Sequence, residues 1–308
     1  MSALADKLRG LRRQAGVAPP APAPVAAPTK PRPALPDNIA QLLGIRQRVQ
    51  GASATPRRKT RSEPSSLPGQ TIAPGLQLCE TSSAWPPAPP TFHAAFARVD
   101  EEIAAERLLL FDTETTGLAG GTGTRAFMIG VGDWHEGRFR ERQLLITTLA
   151  GEAAMLDCFA AWLRPDTVLV SYNGKSYDAP LLNTRYRLAR QPSPLPKLAH
   201  LDLLHPVRRR WRGDWENCRL ATAERKLLGV VREDDLPGSE APRAWLDFLR
   251  GGSARDLRRV ATHNAQDLRS LMGIFLRLAT LDSGTAPCPR TSLPLCSSSA
   301  SPDRDRPG

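Results

Sequence analysis

Apolar and polar positions follow a regular order of strands and helices between residues 92 and 280. Residues 108–111 (Leu-Leu-Leu-Phe) form a continuous apolar run, which predicts a strand covered on both faces. Further strands are predicted at 126–133, 139–147, 167–172 and 200–204, with a hairpin turn at His135-Glu136-Gly137. Helices are predicted at 152–163, 180–190, 220–228 and 255–278. This order predicts an α/β domain with a five-stranded mixed sheet flanked by helices.

The segments on either side of this domain differ from it in composition. Residues 1–91 are rich in Pro, Ala, Ser and Arg, with two short islands of helical spacing at 4–11 and 39–45. Such compositions bury too little apolar area to fold alone. We therefore predict a mostly disordered region at 1–91, a folded domain at 92–280 and a disordered tail at 281–308.

Positive charge is concentrated near the start of the chain. The formal net charge is +11, and residues 1–75 hold twelve Lys and Arg against three acids. A basic arm of this kind is typical of polyanion binding, but also of solvated disorder. It predicts contact with nucleic acid or with a protein partner, and solvated disorder stays open as the alternative.

Cysteine usage and hydropathy narrow the class of protein. The five cysteines form no CxxC pair and have no histidine at zinc-finger spacing, so ordinary reduced thiols are expected. The sequence contains no run of about 18 apolar residues, and its first residues lack the apolar stretch of a signal peptide. These features predict a soluble cytoplasmic protein without a membrane partner.

Two carboxylates follow the first strand of the domain. Asp112 and Glu114 come directly after the apolar run at 108–111. Residues two apart on a strand point to the same face, so both carboxylates can share a metal site while Thr113 packs away from it. Charged residues at a strand end are the alternative, but they rarely follow four apolar residues.

A second polar group follows the strand at 167–172. Asn173 comes at the strand tip and Asp178 five residues later, at the start of a predicted helix. Asp178 can join the carboxylates of the first strand or act only as a helix N-cap. Lys175 is a candidate contact for a phosphate, and Tyr177 can stack on a base or pack in the core behind Asp178.

A third group lies in the last helix, in the segment His263-Asn264-Ala265-Gln266-Asp267. Residues four apart share a helix face, so Asp267 can reach a metal while His263 lies over an attacking water. Imidazole has a pKa near neutrality, which suits a general base. A solvated or packed histidine is the alternative reading.

Taken together, these three motifs resemble the DEDD exonuclease superfamily. The chain is similar to its YprB-type ribonuclease H-like family and, more distantly, to the proofreading domains of family B DNA polymerases. The resemblance covers residues 107–279 and implies a ribonuclease H-like sheet. It also implies two Mg²⁺ or Mn²⁺ ions held by four carboxylates, Asp112, Glu114, Asp178 and Asp267.

The resemblance also implies contacts for the substrate. Thr115, Thr116 and Leu118 correspond to the residues that grip the terminal nucleotide, and Asn173 to one that orients near the scissile phosphate. His263 corresponds to the general base. Its spacing departs from the family pattern, because the chain places a histidine where the tyrosine subgroup has its tyrosine.

These observations predict a metal-dependent 3′ to 5′ exonuclease that acts on single-stranded DNA or RNA by a two-metal mechanism. A catalytically weak nucleic-acid-binding module of the same fold and a structure-selective endonuclease remain alternatives. The basic run 208–212, with Trp211 and Trp215 beside it, is a further candidate for nucleic-acid contact or a solvated helix face.

Overall fold

The computed structural model describes residues 67–84, 89–117, 122–232 and 236–282. Leu118, proposed from the resemblance to grip a nucleotide, lies outside these residues. The basic arm up to residue 66 and the tail from residue 283 also lie outside them, so the expected partner contacts of the arm remain predictions.

Nine strands are present in the described part of the chain. They are β1 (Gln70–Ala73), β2 (Leu76–Ser83), β3 (Thr91–His93), β4 (Glu102–Ala104), β5 (Leu108–Thr115), β6 (Ala126–His135), β7 (Arg138–Ile146), β8 (Val168–Ser171) and β9 (Ala199–Asp202). Seven of them form one sheet in the order β1-β2-β7-β6-β5-β8-β9, and β3 pairs with β4. Neighbours from β1 to β5 are antiparallel, whereas β5, β8 and β9 are parallel. The predicted α/β class with a mixed sheet is confirmed.

Helices cover both faces of this sheet. They are α1 (Glu152–Ala161), α2 (Asp178–Leu188), α3 (Leu204–Trp211), α4 (Leu220–Ala223, continued by a π-helical turn at Glu224–Leu228), α5 (Ala241–Leu249) and α6 (Arg255–Asp282). Leu109 and Phe111 of β5 belong to one buried cluster, and Leu108 and Leu110 belong to the other. The apolar run of β5 is therefore covered on both faces, as its sequence predicts.

The sheet has seven strands rather than the predicted five, and the additional two precede the predicted domain boundary at residue 92. β2 pairs with β7 from Leu76 opposite Ile146 to Ser83 opposite Phe139. The assignment of 1–91 to a mostly disordered region was therefore wrong for residues 70–83. The Ser- and Pro-rich composition around β2 obscured a strand that is ordered by pairing along β7 rather than by its own hydrophobicity.

Local turn chemistry agrees with the sequence at the hairpin between β6 and β7. Glu136 and Gly137 have φ angles of 51° and 72°, as the two central residues of a type I′ turn require. None of the helices within the described ranges is long and apolar enough to cross a membrane.

The order of the strands determines where the polar motifs meet. β5 lies between β6 and β8, so the carboxyl ends of β5 and β8 reach the same edge of the sheet. The 28-residue helix α6 contributes Leu257 and Val260 to one buried cluster and Leu268 and Leu271 to the other. Residues 263–267, between these two pairs, therefore lie where α6 passes from one buried cluster to the other.

Candidate active site

Asp112 is held by a residue of α6. The side-chain amide of Asn264 donates a hydrogen bond to Oδ2 of Asp112 at 2.9 Å. Asn264 is fully buried and accepts a hydrogen bond of 2.9 Å from the amide of Gln143 on β7. It packs against Gly130, the cross-strand neighbour of Asp112, where a Cβ atom would lie 2.0 Å from Oδ1 of Asn264. Asp112 is thus joined to β6, β7 and α6.

The four carboxylates expected to bind metal are close enough to affect one another. The pKa of Asp112 is raised well above its ordinary value, first by burial and then by the charges of Asp267, Asp178 and Glu114. The hydrogen bond from Asn264 only partly opposes this shift. The structure therefore brings all four side chains into one electrostatic cluster at the end of β5.

Asp178 meets this cluster from α2. The hydroxyl of Thr113 donates a short hydrogen bond to Oδ1 of Asp178. Burial raises the pKa of Asp178 to about 6, although this hydrogen bond lowers it. The expectation that Thr113 packs away from the site was wrong, because Thr113 contacts Asp178. Thr113 follows Leu109 and Phe111 on one face of β5, and Leu181 and Leu182 of α2 pack on that same face. The N-cap position of α2 is occupied by Tyr177, so Asp178 is the first helical residue and not the cap.

The turn between β8 and α2 is anchored by Asp202, to which no role was assigned from the sequence. Oδ1 of Asp202 accepts hydrogen bonds from the backbone N–H groups of Asn173 at 2.7 Å and Leu204 at 3.1 Å, and Oδ2 accepts one from Lys175 at 3.1 Å. Asn173 has a φ angle of 69°, in the left-handed region. The parallel register places Asp202, at the end of β9, beside Ser171, at the end of β8. An acid at the end of the strand next to β8 is therefore the feature of the sequence that indicates the contact between Asp202 and the turn.

The proposed substrate contacts differ in exposure. The side chain of Tyr177 is 56% exposed, so the alternative of core packing behind Asp178 was wrong. Lys175 is also exposed, while Asn173 is half-buried. Thr115 donates a hydrogen bond to the Gly117 carbonyl at 3.0 Å, and the Thr116 hydroxyl accepts one from the Arg125 N–H at 3.0 Å. These two threonines therefore shape the strand end, and their contact with a nucleotide remains a prediction.

His263 and Asp267 contact each other and a residue that the sequence motifs did not include. Nε2 of His263 lies 3.5 Å from Oδ2 of Asp267. Arg232 donates a hydrogen bond of 3.2 Å from Nη1 to Nδ1 of His263, and a short one from Nη2 to Oδ1 of Asp267. Because a guanidinium can only donate, Nδ1 of His263 is the acceptor in this contact, and Nε2 is the nitrogen that faces Asp267.

A buried glutamate holds Arg232 in this position. Nε of Arg232 donates to Oε2 of Glu224 at 3.0 Å, and the Ser270 hydroxyl donates a short bond to Oε1. Glu224 is 1% exposed. Burial lowers the pKa of Arg232, but Asp267 and Glu224 raise it by more, so the guanidinium stays charged. In the sequence, this contact is indicated by Glu224 itself, an acid in the predicted helix at 220–228 at a position that faces the core in the structure.

Comparison with known proteins agrees with this fold. A family model described as RNase_H superfamily matches residues 109–279. The chain belongs to the RNase H superfamily. The uncharacterized protein YprB of Bacillus subtilis (strain 168) is 37% identical over 173 residues, which are 56% of this chain and 42% of that protein. This RNase H superfamily chain therefore matches less than half the length of that relative, and the family resemblance stated from the motifs is confirmed.

Solved structures of exonuclease I show a weak similarity to this chain. A product-bound exonuclease I gives a TM-score of 0.34 at 18% identity, over 51% of this chain and 46% of that one. E. coli exonuclease I in complex with a dT13 oligonucleotide gives 0.34 at 16% identity, over 49% and 42%.

The donor set of the cluster suits a hard divalent cation. Within the described ranges, no three His, Cys, Asp or Glu side chains are gathered around one point as a metal site. Glu114 and Asp267 are nevertheless buried, Asp112 and Asp178 are half-buried, and all four supply carboxylate oxygens, which Mg²⁺ and Mn²⁺ prefer. Arg232 is engaged with Oδ1 of Asp267. RNase H-like nucleases generally use divalent metal ions, and the residues present here fit that requirement.

Proposed function

We propose that this protein is a metal-dependent 3′ to 5′ exonuclease that hydrolyses phosphodiester bonds of single-stranded nucleic acid. Membership of the RNase H superfamily supports a nuclease. The observation that carries the proposal is the electrostatic coupling of Asp112 to Glu114, Asp178 and Asp267. A protein gains no stability from gathering four acids in a partly buried place, so such a cluster indicates a site that receives positive charge.

The four carboxylates would hold a pair of Mg²⁺ or Mn²⁺ ions. When bound, such ions stabilise the attacking and the leaving oxygens of a phosphodiester in an in-line displacement. Asn264 keeps Asp112 oriented through its 2.9 Å hydrogen bond, and Thr113 does the same for Asp178. These second contacts fix the carboxylates before any ligand arrives, which lowers the cost of assembling the site.

His263 is our candidate for the general base. In the hydrolysis, a water oxygen forms a bond to phosphorus while the bond from phosphorus to the 3′ oxygen breaks. The water proton passes to the lone pair of the imidazole, and the leaving 3′ oxygen takes up a proton from solvent. The products are a nucleoside 5′-monophosphate and a strand shortened by one residue.

Two exposed residues beside the acids are candidates for strand contact. Tyr177 presents an aromatic face and Lys175 a positive charge on the same turn. Stacking of a base on an aromatic side chain is independent of sequence, so it suits an enzyme that removes residues one after another. The hydrogen bonds from the backbone to Asp202 hold this turn in place.

The test is hydrolysis of a labelled single strand in the presence of Mn²⁺. We expect stepwise loss of nucleotides from the 3′ end of DNA or RNA by the full chain, and at least a hundredfold slower loss by Asp112→Asn. Asp100→Asn is the matched control, because Asp100 is an exposed acid outside the cluster. Absence of metal-dependent release by the unaltered protein, from either nucleic acid, would contradict the proposal.

A circular single strand separates exonuclease from endonuclease. An exonuclease leaves the circle intact because the molecule has no end, while a structure-selective endonuclease of the same fold opens it. Linear products from the circle, absent with Asp112→Asn, would replace the exonuclease proposal with the endonuclease.

A second candidate is a nucleic-acid-binding module of the same fold without turnover. The observation that favours it is Arg232, which engages both Oδ1 of Asp267 and the lone pair of His263. Strand binding that is equal in EDTA and in Mn²⁺, with no cleavage in either, would favour this candidate over the exonuclease.

A further inference from the structure

Arg232 combines a fixed anchor with a donor edge directed into the proposed site. Its Nε and Nη2 atoms bond the two oxygens of Glu224 at 3.0 and 2.5 Å. Glu224 is 1% exposed and also accepts a hydrogen bond from Ser270, one turn beyond Asp267. The Arg232 side chain is only 14% exposed. The two bonds to Glu224 give the guanidinium a second, buried partner besides Asp267.

The other edge of the guanidinium engages the two groups that a working site needs. Nη2 bonds Oδ1 of Asp267, a proposed metal ligand, and Nη1 bonds Nδ1 of His263, the lone pair of the proposed base. A cation at Asp267 would repel the guanidinium, and proton transfer to His263 needs the same lone pair. These donors therefore require another acceptor when the site is filled.

We propose that Arg232 is a substrate-contacting residue, which binds the phosphate at the 3′ end of the strand and rests on Asp267 and His263 when no substrate is present. This inference rests on the proposed function. A phosphate oxygen is the acceptor that arrives with the substrate, and arginine binds phosphate through paired N–H donors. Transfer to phosphate of Nη1 and of the Nη2 hydrogen that bonds Asp267 leaves Glu224 bonded through Nε and the other Nη2 hydrogen, and it releases the His263 lone pair.

The binding test uses the expected product and needs no turnover. A nucleoside 5′-monophosphate and the matching nucleoside are titrated into the full protein in Mg²⁺ by calorimetry. We expect the monophosphate to bind at least tenfold more tightly than the nucleoside, and Arg232→Met to abolish this difference. Arg232→Lys should retain part of it, because lysine keeps the charge but lacks the paired donors.

The matched control is Arg140→Met. Arg140 is also a partly buried arginine with a two-point ion pair, to Asp133 on β6, and it lies on β7 away from the acids. Arg232→Met leaves the buried Glu224 without its cationic partner. If this unfolds the protein, the double variant Glu224→Gln with Arg232→Gln, which removes both charges, is titrated instead. Unchanged phosphate preference in a folded Arg232 variant would overturn the proposal.

A second readout reports on His263 directly. Nitrogen chemical shifts of the imidazole, assigned with His263→Gln, should show Nδ1 as a hydrogen-bond acceptor in the free protein and a change at Nδ1 when the monophosphate binds. Arg232→Met should show the changed Nδ1 shift without ligand. If the monophosphate binds through Arg232 while no strand is hydrolysed, the role of Arg232 stands and the exonuclease proposal fails. A His263 signal that is indifferent to both ligand and variant would contradict the resting contact.

Discussion

The buried amide of Asn264 on α6 donates a hydrogen bond to the carboxylate of Asp112 on β5 and accepts one from Gln143 on β7. One side chain thus joins the long helix to two strands and orients the acid at the centre of the cluster. Asn264 is fully buried, so each of its polar atoms has to find a partner within the protein.

Replacement of Asn264 by alanine removes both hydrogen bonds and leaves a cavity. We expect Asn264→Ala to lower the free energy of unfolding by about 1–3 kcal/mol, because buried polar groups lose their partners. Urea denaturation followed by circular dichroism measures this change. Asn183→Ala is the control, since the half-buried Asn183 accepts one hydrogen bond from Ser193 near the surface. Equal losses in the two variants would mean that the Asn264 contacts add nothing.

Gly130 is expected to be required because Asn264 approaches its Cα atom. A Cβ atom at residue 130 would lie 2.0 Å from Oδ1 of Asn264, closer than any tolerated contact. Gly130→Ala should therefore displace the amide and destabilise the protein by roughly 1–3 kcal/mol. Gly213→Ala, at a glycine with open space around it, should leave the stability nearly unchanged. Thermal unfolding measures both variants. A Gly130→Ala protein as stable as Gly213→Ala would show that α6 can shift without cost.

The acids of the site could be found from the sequence, but the residues that orient them could not. Asp112, Glu114, Asp178 and Asp267 stand at strand or helix positions whose direction follows from periodicity. Contacts such as Asn264 to Gln143 join residues 121 apart in the chain, and local pattern contains no information about them. Asn264 still left a trace, because it lies four residues from both Val260 and Leu268 on the apolar stripe of α6. Gly130 left another, as a glycine in a strand interior often marks a close approach.

The strands outside the prediction show a similar limit. β1 and β2 are ordered by pairing with the sheet, whereas the predicted strands were identified from their own apolar residues. Arg232 lies beyond the π-helical turn Glu224–Leu228. Because the regular helical repeat ends at such a turn, the spacing of residues in the sequence does not indicate that Arg232 faces Asp267. Only the folded protein brings Glu224, His263 and Asp267 around the Arg232 guanidinium.

The stability of the metal-free protein is expected to depend on pH through Asp178. Burial raises the pKa of Asp178 to about 6, so the folded protein holds this proton more tightly than the unfolded chain does. The resulting stabilisation is fully present below the pKa of an unfolded aspartate, about 4, and is lost as the pH rises towards 6. In EDTA, Asp178→Asn should therefore lose less stability between pH 4 and pH 6.5 than the unaltered protein. Thermal unfolding at several pH values measures this, with the exposed Asp214→Asn as the control. Parallel curves for all three proteins would contradict the buried, protonated carboxyl.

Tyr177 offers the clearest separation of substrate binding from folding. Its side chain is 56% exposed, so Tyr177→Ala should change the free energy of unfolding by less than about 0.5 kcal/mol. If the ring stacks on a base, the same change should weaken single-strand binding by roughly 5- to 150-fold, the equivalent of about 1–3 kcal/mol per stacked base. Tyr177→Phe keeps the aromatic face and should bind nearly as well as the unaltered protein. Fluorescence anisotropy with a short labelled strand in Ca²⁺ measures binding for all three. Weak binding by both variants would assign the contact to the hydroxyl, and normal binding by both would remove Tyr177 from the path of the strand.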